Sequence, residues 1–153
     1  MKIKWLVLLS GLAVLIGASW LYLYPRPLPA PVAGAREVRD SFQTQRRRYR
    51  VEAGARIRTV IAGRVTHIGP VDGAGGRALN LIIHNPVTAE TVSYLLPDNA
   101  QVRVRLGQWL RPGAVVALTQ AGGRNLRCLG EANLSLTYLK KGRIVPVGEG
   151  SRW

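Results

Sequence analysis

The chain has 153 residues, with 22 Lys and Arg against 8 Asp and Glu, and a formal net charge of +14. That balance favours anionic partners, but the basic residues are spread along the chain with no aromatic-interleaved RNA signature and no recognition-helix pattern, so no specific nucleic-acid partner is expected. Cys128 is the single cysteine, which excludes an internal disulfide and a cysteine-built zinc cluster, and nothing near it in sequence marks it as a nucleophile.

Residues 5–24 run without a formal charge. At ~1.5 Å per residue they make about 30 Å of helix, enough to cross a bilayer core. Trp5, Trp20, Tyr22 and Tyr24 sit near the ends of the run, as an aromatic belt does, and Pro25 closes it. A cleaved signal peptide is the competing reading, but its apolar core is usually shorter. Ala33-Gly34-Ala35 passes as a cleavage site in composition yet lies far beyond the apolar run, and no cysteine follows that run for lipoprotein processing. Residues 1–24 are therefore expected to be an uncleaved, single-pass membrane anchor. Lys2, Lys4 and the amino terminus argue for an N-in orientation, while Arg26, Arg36 and Arg39 argue against it.

Residues 25–50 read as a linker. Pro25, Pro27, Pro29 and Pro31 make an extended, semi-rigid spacer. A basic stretch follows, either a short helix or a strand, in which Arg46, Arg47 and Arg48 can touch anionic lipid or wall polymer. Over residues 51–147 a β pattern takes over, with short runs separated by Gly, Pro and Asn signals. Strand-type runs cover 57–61 and 64–68 on either side of Ala62-Gly63, then 79–84, 90–96, 102–107, 115–118 and 133–139. Alternation predicts that Leu79, Leu81 and Ile83 face a core, as do Leu134, Leu136 and Tyr138. The glycines of 72–76 mark a hairpin turn rather than a phosphate cradle, because no Lys-Ser/Thr and no helix follow them. Asn85-Pro86 turns the chain, and Lys140-Lys141-Gly142-Arg143 is a second hairpin turn. Residues 148–153 are a tail. The expected fold class is all-β, a small sandwich or barrel-sandwich-like domain behind one transmembrane helix.

The order of these motifs resembles the lysostaphin-like, or LytM-domain, zinc endopeptidases of peptidoglycan. Ala53-Gly54-Ala55-Arg56-Ile57 is similar to the family's step into its first strand, and Ala62-Gly63-Arg64-Val65 to the turn that follows. Glu90-Thr91-Val92-Ser93-Tyr94-Leu95 resembles the paired strand. Val104-Arg105-Leu106-Gly107-Gln108, the run from Arg111-Pro112-Gly113 to Leu118, and the hairpin ending in Ile144-Val145-Pro146 complete the series. The resemblance covers residues 53–146 and implies a LytM-like fold. With the amino-terminal lysines it implies an N-in anchor in the inner (cytoplasmic) membrane and a periplasmic domain.

The departures matter as much. The family binds zinc with an early His and Asp and with the second His of a His-x-His pair, and another His on the paired strand assists the water. The resemblance places the His-x-His pair on Asn133-Leu134-Ser135 and the paired-strand His near Leu95. The early ligands fall within 43–50, where there is neither His nor Asp. Zinc needs about three protein ligands and an open position, so no metal, no cofactor and no hydrolytic activity are expected, and His67 and His84 lack the spacing of a replacement site. What the resemblance implies instead is a binding or regulatory module of the bacterial cell envelope, with Leu95, Asn133 and Ser135 lining the contact groove. Its partner would be peptidoglycan or an envelope protein such as a cell-wall amidase. The alternative is a periplasmic barrel-sandwich adaptor or a small subunit of an envelope transport or secretion complex. Such adaptors normally carry long helical hairpins, which this chain lacks.

Overall fold

Alternation of apolar and polar residues along β-branched runs produces strands, and in this chain nearly every run pairs antiparallel with its neighbour. The structure, a computed structural model, describes residues 29–38, 46–73, 76–120 and 133–144. The expected membrane helix, Cys128 and the tail lie outside these residues. The described part is all-β: β1 (Arg36–Glu37), β2 (Arg47–Arg50), β3 (Arg56–Arg58), β4 (Gly63–Gly73), β5 (Gly76–Asn85), β6 (Glu90–Pro97), β7 (Gln101–Val102), β8 (Trp109–Leu110), β9 (Val115–Leu118), β10 (Leu134–Lys140) and β11 (Arg143–Ile144). It contains no helix long and apolar enough to cross a membrane.

Eight strands form one sheet in the order β1-β2-β10-β6-β5-β4-β8, with β11 paired to β10. A three-stranded sheet runs β3-β9-β7. One hydrophobic cluster joins the two. Leu81, Ile83, Val92, Tyr94, Leu96, Leu134, Leu136 and Tyr138 come from the large sheet, and Ile57, Val116 and Ala117 from the small one. The alternation in 79–84 and 133–139 therefore reports the core correctly, with Leu79 partly buried at its margin.

The crossing between the sheets sits at 59–63. Thr59 donates its hydroxyl to the Ile61 carbonyl at 2.7 Å, which ends β3. Tyr94, fully buried on β6, spans the gap: its hydroxyl accepts from the Val60 amide at 3.1 Å and donates to the Arg58 carbonyl at 3.2 Å. Gly63 then starts β4 against β5, where a Cβ would stand 2.8 Å from the His84 carbonyl oxygen, so only glycine fits without a shift.

Two runs differ from the sequence pattern. Residues 102–107 were expected as one strand, but only Gln101–Val102 is strand. Arg103 still donates to the Val116 carbonyl at 2.9 Å, after which Gly107 adopts a φ of +81° and turns the chain into β8. The stretch expected as linker contributes β1, β2 and the buried Pro31 and Val32 to the fold. Tyr49 anchors β2, 4% exposed and opposite Leu134 of β10. The hairpins expected at 72–76 and 140–143 are present, with Gly73 opposite Gly76 and Lys140 opposite Arg143.

Candidate functional site

Residues directly opposite each other in an antiparallel pair project to the same face. The strand registers therefore define rows across the face of the large sheet that points away from the core. One row runs Gly69, Asn80, Leu95, Ser135, Arg48 over β4, β5, β6, β10 and β2. Leu95 and Ser135, two of the expected groove residues, are thus direct neighbours, and Arg48 completes the row beside them. Ser135 is 2% exposed and Arg48 7%, so this end of the face is closed to bulk water. Leu95 is half-buried and packs with Ala78 and Val38 in a small apolar cluster of its own.

Asn133, the third expected groove residue, has a different partner. Its Oδ1 accepts from the Val51 amide at 2.8 Å, and its Nδ2 donates to the Val51 carbonyl at 2.7 Å. Both ends of its amide are thus committed to the backbone just after β2. Within the Arg46-Arg47-Arg48 run only Arg46 is exposed; Arg47 is 7% exposed and lies 3.7 Å from Glu37. The alternation of β2 places Arg47 in line with Leu136 and Arg48 in line with Ser135, on opposite faces.

Next along the same face come His67, Ile82, Ser93 and Thr137, and then Arg64, His84, Thr91 and Leu139. Here hydrogen bonds knit neighbouring strands together. Ser93 donates to the Asn80 Oδ1 at 2.9 Å, and His84 Nδ1 lies 2.9 Å from the Thr91 hydroxyl. His84 is thus a strand-surface imidazole. The turn after β5 is capped by Asn85, whose Oδ1 accepts from the amides of Val87 and Thr88 at 3.0 and 3.3 Å. The pairs Asn80–Ser93 and His84–Thr91 escaped sequence reading. Each joins residues that become neighbours only once the β5–β6 register is set.

The row holding Leu95, Ser135 and Arg48 does not fit a zinc ion. A guanidinium is a fixed cation without a donor lone pair, leucine has no donor, and a serine hydroxyl alone is a weak neutral ligand. Among the described residues no group of three or more His, Cys, Asp and Glu gathers elsewhere. The chemistry on this face is hydrogen bonding, through hydroxyls, one carboxamide, two imidazoles and arginine.

No family model matches the sequence, and a search of curated proteins finds no match. Solved structures do match. A putative peptidase M23 from Pseudomonas aeruginosa aligns with a TM-score of 0.58 at 19% identity, over 87% of this chain and 56% of that one. A zinc-containing peptidase from Vibrio cholerae aligns at 0.52 and 21% identity, over 78% of this chain and 35% of that one. A point mutant of the catalytic domain of the prophage-encoded M23 protein EnpA from Enterococcus faecalis aligns at 0.52 and 16% identity, over 81% of this chain and 98% of that one. The chain spans about a third to just over half of the first two proteins, yet nearly the whole of the isolated catalytic domain. By these likenesses the chain has the fold of the M23/LytM peptidases.

Proposed function

We propose that this chain is a membrane-anchored LytM-like domain that binds or regulates in the bacterial cell envelope and does not cut peptidoglycan. One observation supports the reading above others: the register sets Leu95, Ser135 and Arg48 side by side. The motif resemblance gives the first two the places of the family's histidines, and Arg48 lies in the segment to which it assigns the early ligands. A buried guanidinium repels a divalent cation, and without a metal a water keeps its pKa near ~15.7, so hydroxide does not form at neutral pH. The fold supports a role connected with the cell wall. The neighbouring hydroxyls and amide, Ser93, Thr137 and Asn80, suit a ligand rich in hydrogen-bonding groups, such as a glycan or a peptide.

Elemental analysis of the purified chain should find no stoichiometric zinc, and digestion assays should release no muropeptides. The same protein should co-sediment with sacculi or retain a wall amidase on an affinity column. One zinc per chain together with chelator-sensitive cleavage would overturn the proposal.

A further inference from the structure

The turn between β7 and β8 exposes two large apolar side chains, Leu106 at 67% and Trp109 at 52%. The turn is firmly built. Arg64 donates from Nε to the Gly107 carbonyl at 2.9 Å, and the Gly107 amide donates to the Val65 carbonyl at 2.8 Å. Val65 donates to the Gln108 carbonyl at 2.9 Å, and the Gln108 side chain accepts from the Arg105 amide at 3.0 Å. With its backbone held in this way, the exposure of Leu106 and Trp109 is a fixed property of the fold. Three exposed arginines accompany them: Arg64 opposite Trp109 in the strand register, Arg105 next to Leu106 on the turn, and Arg111 two residues beyond Trp109, just after β8. None of the three forms an ion pair with a described carboxylate. The sequence holds no acidic residue from Ala53 to Val71 or from Asn99 to Gly130.

We infer that this Trp109–Leu106 turn is a second membrane contact, which seats the domain on an anionic phospholipid surface. An amphipathic indole and an exposed leucine partition into the interfacial zone, and arginines around them pair with phosphate. A purely charged polymer would use the arginines and gain nothing from Leu106. The path of the chain points the same way, on the reading that residues 5–24 are an anchor. Pro31 is already fully buried in the domain, so the seven residues after Tyr24 span at most about 25 Å. The Pro31 carbonyl accepts from the Arg58 amide at 2.7 Å, and the Arg58 guanidinium donates to the Gly113 carbonyl at 2.8 Å. The tether thus meets the domain beside the turn that directly follows β8, and it brings Trp109 toward the bilayer.

The test uses the full chain with Trp5, Trp20 and Trp153 replaced by Phe, so that Trp109 alone reports. It is reconstituted in phosphatidylcholine vesicles with or without phosphatidylglycerol, both with brominated acyl chains. With phosphatidylglycerol, Trp109 should shift to the blue, be quenched by bromine and lose access to acrylamide, and concentrated salt should reverse all three. Arg64→Gln, Arg105→Gln or Arg111→Gln should each weaken docking about fivefold, which is about 1 kcal/mol per basic residue. Leu106→Ser should abolish the bromine quenching. Equal acrylamide access in both lipids, or protection by soluble polyglutamate that is indifferent to Leu106→Ser, would overturn the inference. Flotation on neutral vesicles tests the anchor separately. A chain that fails to float there lacks the anchor, yet salt-sensitive flotation on phosphatidylglycerol vesicles that requires Leu106 would still support the surface.

Discussion

Replacing Tyr94 by Phe removes one oxygen atom and leaves the ring in the core. That oxygen serves two partners at the crossing between the sheets, the Val60 amide at 3.1 Å and the Arg58 carbonyl at 3.2 Å. Both distances are at the long end of the hydrogen-bond range, so each bond contributes at the lower end of about 0.5–1.5 kcal/mol. The larger effect is on the groups left behind. The Val60 amide lies in the core, screened from bulk water, and an unsatisfied buried donor costs about 1–3 kcal/mol. The expected loss is about 2–4 kcal/mol, a drop of roughly 10–20 °C in melting temperature for a fold of this size. Urea unfolding of the purified full chain in mild detergent, followed by circular dichroism, measures it. Burial also holds the Tyr94 hydroxyl well above its ordinary pKa of 10.0. The folded state therefore keeps this proton at a pH where the unfolded state has released it. The contribution is intact below pH ~10 and falls by about 1.4 kcal/mol per pH unit above it. Tyr94→Phe should flatten that alkaline loss. A change below 0.5 kcal/mol, with an unaltered alkaline limb, would show that the hydroxyl does not hold the crossing.

Gly63→Ala should destabilise by about 1–3 kcal/mol, because the added methyl meets backbone at His84 that cannot rotate away; urea midpoints decide it. Asn133→Ala should cost about 1–3 kcal/mol through its two bonds to Val51, and Asn133→Asp, which keeps the acceptor but sets a carboxylate oxygen against the Val51 carbonyl, should cost at least as much. If Asn133→Ala leaves stability unchanged but abolishes sacculus binding, the residue belongs to the groove and not to the clamp. Leu81→Ala should cost about 2–5 kcal/mol at its fully buried position, and a loss below 1 kcal/mol would contradict that packing. Tyr138→Phe should likewise flatten the alkaline loss of stability in urea unfolding, since burial and then its bond to Glu90 at 2.7 Å hold its hydroxyl above the usual range.

The core was legible because Leu79, Leu81 and Ile83, and again Leu134, Leu136 and Tyr138, obey the two-residue period without interruption. The place of β2 was not legible. Arg47, Arg48, Tyr49 and Arg50 have the composition of an exposed segment, and only the pairing with β10 buries three of them. Pattern reading assigns arginine to the surface because burial of a cation is costly. It had no means of seeing that a strand more than eighty residues downstream would cover these positions. The site divides along the same line. Motif order named Leu95 and Ser135 together, and the register sets them side by side. It could not foresee that Asn133 would turn its amide to Val51, because that choice depends on backbone geometry after β2.

The Asn133–Val51 clamp also bears on how the protein reaches its fold. It joins residues 82 apart, while β4, β5 and β6 form successive hairpins within a much shorter stretch. Loop-closure entropy favours the hairpins first and leaves the β2–β10 pairing for late in folding. On the ribosome, β2 emerges early and can pair with β1, but its other edge must wait for residues 133–140. Until then β6 presents a bare edge with Leu95 and Tyr94 behind it, a template for pairing with other chains. A chain truncated before residue 133 should therefore aggregate through that edge, and a chaperone that shields β6 should rescue the yield of the intact one.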